Sequence, residues 1–99
     1  MNISKTLTGD KTILALSGRL DTITAPKLLE ALIPEFDRAK QVVLDFAEIV
    51  YVASAGLRVL LMGEKTARAK SSRQTLTGVS AEIMEVFEMT GFSSVLNLE

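Results

Sequence analysis

The stretch Ile49-Val50-Tyr51-Val52-Ala53-Ser54-Ala55-Gly56-Leu57-Arg58-Val59-Leu60-Leu61-Met62 changes its periodicity in the middle. Its first four residues are β-branched or aromatic, as a strand favours. Ala53 to Gly56 are small, and from Leu57 the apolar positions Leu57, Leu60 and Leu61 fall on one helical face. A strand passing directly into a helix points to an α/β layer structure and puts Ser54 at the turn where the helix begins. Beyond Met62, the residues Glu64, Lys65, Arg68 and Lys70 make the helix end polar, with the basic residues favourable near its C-terminus.

Upstream, Gln41 to Phe46 contains the continuous run Val42-Val43-Leu44, the pattern of a central strand covered on both faces. Before it, Thr24 followed by Ala25-Pro26 predicts a helix with Thr24 as N-cap and proline in the first turn. Leu28, Leu29, Leu32, Ile33 and Phe36 form its inner face, while Pro34 lacks the amide that would bond to the Glu30 carbonyl and should kink or close the helix early. The rough alternation from Ile3 to Leu7, the turn residues Thr8-Gly9-Asp10-Lys11, and the run Thr12 to Ser17 predict an antiparallel hairpin.

Downstream, Lys70-Ser71-Ser72-Arg73 reads as a loop and Thr75 to Thr77 as a short strand. Ser80 caps a last helix with Ile83, Val86 and Phe87 inward and Glu82, Glu85 and Glu88 outward; Gly91 ends it. Val95 to Leu98 is a candidate for a final strand. Residues 1–99 therefore form one α/β domain, a mixed sheet of about four to five strands with helices packed on it.

Composition narrows the function. The 99 residues suit one core; 47% are hydrophobic and 23% charged, and the mean hydropathy is +0.29, as expected of a folded globular chain. Eleven basic against twelve acidic residues leave a net charge of −1, with no excess to drive binding to nucleic acid or anionic lipid. There is no cysteine and no histidine, which excludes a thiol nucleophile, a Cys/His zinc site and a Ser-His-Asp relay. A small enzyme would have only Asp21, Asp45 and Ser54 to work with, and no base tuned near neutral pH. No cofactor or metal is expected. The longest mainly apolar run, Ile49 to Gly63, is too short to span a bilayer and no h-region opens the chain, so a cytoplasmic location without membrane insertion is expected.

Three stretches carry a resemblance to a known family: Gly18-Arg19-Leu20-Asp21 with Thr24-Ala25; Val43-Leu44-Asp45-Phe46 leading through Tyr51 to Ser54-Ala55-Gly56-Leu57; and Val86-Phe87-Glu88-Met89-Thr90-Gly91-Phe92. Their order and spacing resemble the STAS domain of anti-sigma factor antagonists over essentially the whole chain. The resemblance implies a non-enzymatic cytoplasmic switch. Ser54 would be phosphorylated by a serine kinase that is also the anti-sigma factor, and a PP2C-type phosphatase would reverse the reaction. The unphosphorylated form would bind the kinase and free the sigma factor. The partner-binding surface would comprise Asp21, Thr22, Ser54, Gly56 and Arg58.

Each of these residues also has a plainer role. Ser54 could simply cap the helix, and Asp21 could hold an Asx-turn. Thr24 could be only a cap, Gly56 could permit close helix–sheet packing, and Arg58, about one turn beyond Ser54, could pair with a phosphate or a partner's carboxylate or be solvated. Met62, Met84 and Met89 read as core or interface filler, and Glu82, Glu85 and Glu88 as a solvated face. In phosphorylated family members an aspartate commonly precedes the serine and a hydroxyl residue often follows it; here these are Ala53 and Ala55. That difference supports the alternative of a constitutive STAS regulatory or scaffold subunit, for instance of a membrane transport ATPase. The sequence leaves the oligomeric state open.

Overall fold

A computed structural model describes residues 1–99. β1 (Asn2–Thr8) and β2 (Lys11–Leu20) form the hairpin, in antiparallel register from Asn2 opposite Ser17 to Thr8 opposite Lys11. The chain then crosses through α1 (Ala25–Leu32) and a 3-10 segment, Ile33–Asp37, to β3 (Gln41–Val52). It continues through α2 (Ser54–Ala69) to β4 (Arg73–Thr77), and ends with α3 (Ala81–Thr90) and a short 3-10 turn, Phe92–Ser94. The strand order is β1-β2-β3-β4; β2, β3 and β4 pair in parallel, which requires the helical crossovers.

Pro34 acts where expected. α1 stops at Leu32 and the chain tightens into the 3-10 segment that contains the proline. The runs at 41–46 and 49–52 belong to one twelve-residue strand, β3, whose pairing with β2 shifts register between Ala15 and Ser17 and again between Gly18 and Arg19. β2 itself runs on to Leu20, past the loss of simple alternation. The expected strand at Val95 to Leu98 is corrected to a single bridge, Leu98 beside Leu76, so the sheet has four strands. Ser80 caps α3 by accepting the Ile83 N–H at 3.2 Å, and Gly91 closes it with φ 81°, which glycine adopts without a side-chain clash.

The core is continuous. Leu14, Leu16 and Leu20 of β2, Val42, Leu44 and Phe46 of β3, and Leu76 of β4 meet Leu28 and Leu32 of α1, Leu57 and Leu60 of α2, and Ile83 and Phe87 of α3. Phe46 and Phe87 pack as tilted rings with centroids 6.5 Å apart. No helix is long and apolar enough to cross a membrane.

Two of the buried polar side chains tie outer elements to this frame. Gln74 is fully buried and donates from Nε2 to the Leu60 carbonyl at 3.0 Å, which ties β4 to α2; Gly63 makes room for it, since a Cβ there would meet Gln74 and Leu32. Glu35, 2% exposed, accepts the Thr12 hydroxyl at 3.1 Å and Lys5 Nζ at 3.3 Å, with Arg38 Nη1 at 3.6 Å. It joins the segment after α1 to the outer hairpin. Glu35→Ala leaves the buried Thr12 hydroxyl without its partner and should cost about 1–3 kcal/mol of stability, read as a lower urea midpoint; Glu35→Gln, which keeps an acceptor, should recover part of the loss. An unchanged midpoint in Glu35→Ala would show that the hairpin docks without this group.

Candidate functional site

The joint between β3 and α2 is held from β2. The Leu20 carbonyl accepts the Ala53 N–H at 2.9 Å, and Leu20 also packs against Gly56. A Cβ on Gly56 would lie 2.6 Å from Leu20 Cγ and 3.0 Å from its carbonyl oxygen. Only glycine lets the first turn of α2 approach the sheet this closely, and a methyl group there would cost about 1–3 kcal/mol in displaced packing. Gly56 is buried, so it sets the position of the surface from behind and does not form part of it.

Ser54 follows from this packing. Ala53, extended at φ −99° and ψ 175°, occupies the cap position and Ser54 is the first helical residue, one place further in than the capping role requires. Its side chain is exposed, and the first-turn amides of α2 receive no side-chain cap. The serine is therefore not used as a cap; its hydroxyl faces solvent at the positive end of a sixteen-residue helix. Arg58 is exposed on the same helix four residues on.

Because Leu20 immediately precedes Asp21, the contact that fixes Ala53 also brings the β2–α1 loop beside Ser54. Asp21 Oδ1 accepts N–H groups from Ile23 at 3.0 Å and Thr24 at 3.1 Å, an Asx-turn, and its other oxygen lies 3.7 Å from Arg19 Nε. The Thr24 amide bond is the main influence holding the Asp21 carboxyl below the usual carboxylate range, helped by the Thr24 hydroxyl, the Ile23 amide and the Arg19 charge. Thr24 does not cap α1 with its side chain; its hydroxyl accepts the Asp21 N–H at 2.9 Å and donates to the Arg19 carbonyl at 2.7 Å. Thr22 is exposed on the same loop.

Sequence reasoning missed two features of this rim. Arg19 stacks over Tyr51 with its guanidinium 4.2 Å from the ring centroid, a contact made because the second register shift places the two opposite each other. Ile23 stands 86% exposed on the loop that Asp21 makes rigid. An isoleucine between two threonines gave no sign of that exposure.

The structure thus brings Asp21 and Thr22 on the β2–α1 loop to the start of α2 at Ser54, with Gly56 beneath and Arg58 exposed one turn further along the helix. The arrangement offers an accessible hydroxyl and a rigid polar surface, and no internal base, since the Asp21 carboxylate is already committed to its own loop. No three acidic side chains converge anywhere in the fold to hold a metal ion.

The family model for the Mlab, STAS domain matches residues 3–97. An anti-sigma-B factor antagonist of Listeria monocytogenes is 33% identical over all of this chain and 90% of its own length. Among solved structures, an anti-sigma factor antagonist from Mycobacterium paratuberculosis has the same fold with a TM-score of 0.86 at 18% identity, covering 98% of this chain and 83% of that one. The Bacillus cell fate determinant SpoIIAA in its phosphorylated form matches with a TM-score of 0.77 at 16% identity, over 99% of this chain and 91% of that one.

Asp21 gives a pH test of the loop. Its carboxyl titrates lower in the folded chain than in the unfolded one, so it adds stability above the ordinary carboxylate range, and the contribution is lost as the pH falls through the lowered folded value. The stability gap between wild type and Asp21→Ala should therefore hold steady near neutrality and narrow in acid, measured by urea unfolding at several pH values. A gap that widened on acidification would contradict the hydrogen-bonded loop.

Proposed function

The chain belongs to the STAS domain family, among the non-enzymatic anti-sigma factor antagonists, and from that premise we propose that it is a phosphorylation-controlled binding switch. Its unphosphorylated form docks a cytoplasmic anti-sigma factor kinase through the rim of Asp21, Thr22, Ser54 and Arg58, and so releases the sigma factor. The observation that carries this reading is the exposed hydroxyl of Ser54 at the first position of α2, beside a loop made rigid by Asp21. The existence of the fold in a phosphorylated form in Bacillus supports it.

In the proposed step, Ser54 Oγ attacks the γ-phosphorus of ATP held by the kinase. The new O–P bond forms as the bond to the ADP leaving oxygen breaks, and the hydroxyl proton passes to a base of the kinase, because the Asp21 carboxylate is committed to its turn. The added group brings about −1.5 to −2 charge into a docked surface, where repulsion and desolvation oppose binding. A PP2C-type phosphatase restores the hydroxyl.

A second reading, a constitutive STAS scaffold or regulatory subunit of a complex such as a membrane transport ATPase, is favoured by one feature: Ala53 puts no carboxylate beside the serine. Intact-mass comparison separates the two. After incubation with ATP and a candidate anti-sigma factor kinase, wild type should gain one phosphate (~80 Da, the group whose charge drives the switch) and Ser54→Ala none. No gain in wild type, with the kinase active on another substrate and the chain co-purifying with a membrane ATPase, would favour the scaffold.

A further inference from the structure

Arg58 is four residues beyond Ser54 on α2, and both side chains are exposed. Side chains at this spacing lie over one another on a helix, and the order with the anion nearer the N-terminus is the favourable one. Arg19, Arg38 and Arg68 each have a carboxylate within ion-pair distance, at 3.7, 3.6 and 3.0 Å, whereas Arg58, like Arg73 of β4, has none. Across the joint, Asp21 is turned into its own loop, and its negative charge would push an anion on Ser54 away from that side.

Resting on the phosphorylation of Ser54 proposed above, we propose that Arg58 is the intramolecular counter-charge of the phosphorylated serine. In the unmodified chain Arg58 is free to meet a carboxylate of the partner. After phosphorylation it folds back one turn onto the phosphate, which the uncapped amides of α2 also face. One modification then acts twice on the docking rim, adding negative charge and withdrawing its unpaired arginine. The absence of a carboxylate at position 53 suits this arrangement, because nothing adjacent in sequence repels the phosphate from the helix end.

The pair can be tested without any kinase by installing phosphoserine at position 54 during synthesis, in the wild-type, Arg58→Gln and Arg58→Lys backgrounds, beside the three unmodified chains. Thermal unfolding at low salt and in 1 M NaCl gives the coupling. At low salt the phosphate should raise Tm by about 2 °C more in wild type than in Arg58→Gln. Arg58→Lys should keep part of the difference and 1 M NaCl should erase it. The Arg58 Nε–Hε resonance should move on modification. Equal Tm shifts in the wild-type and Arg58→Gln backgrounds, with that resonance unmoved, would overturn the pair while leaving phosphorylation of Ser54 intact. Failure of the kinase to modify Ser54 would overturn the switch and leave the pair standing.

Discussion

The Leu20 carbonyl joins the two halves of the functional rim. It takes the Ala53 amide at 2.9 Å, and its residue fills the space that a side chain on Gly56 would need. Those two contacts fix where β3 ends, how closely α2 approaches the sheet, and which residue becomes the first of the helix. Since Asp21 follows Leu20 directly, the same contacts place the β2–α1 loop against the start of α2. The placement of the exposed hydroxyl beside the loop is therefore a consequence of one packing constraint at the end of β2. The constraint is steric, so it tolerates little variation in side-chain volume at position 56.

Around that joint the stabilising groups serve two purposes. The continuous core of leucine, valine and phenylalanine side chains holds the helices to the sheet, while the buried Gln74 and Glu35 attach outer elements by specific bonds. A buried polar group with defined partners fixes register in a way that apolar contact alone does not. The rim itself is built differently. The side-chain hydrogen bonds of its β2–α1 loop are local, within the stretch from Arg19 to Thr24, so the shape of that loop does not depend on a docked partner. A preformed surface loses little conformational freedom on binding.

Much of this was legible in the sequence because the signals are local. The hairpin, the break at Pro34, the passage from strand to helix at Ala53 and the cap at Ser80 each rest on residues within a few positions of one another. Glu35 was not legible: its partners Lys5 and Thr12 lie 30 and 23 residues away, and a lone glutamate in an amphipathic stretch reads as solvated. Nor was the contact of Arg19 with Tyr51, which depends on register shifts that leave no mark on periodicity. Val95 to Leu98 has strand composition but pairs at one residue only, since composition alone does not supply a neighbour. That Asp21 and Ser54 share a rim came from family resemblance, and the structure supplies its physical cause in Leu20.

The central claim is that the state of one hydroxyl decides whether the rim binds its partner. Isothermal titration of the purified anti-sigma factor kinase, without nucleotide, into the unmodified chain and into the chain carrying phosphoserine at position 54 measures this directly. The account predicts that the modified chain binds at least about tenfold more weakly, a loss of roughly 1.4 kcal/mol. Equal affinities for the two forms would contradict it.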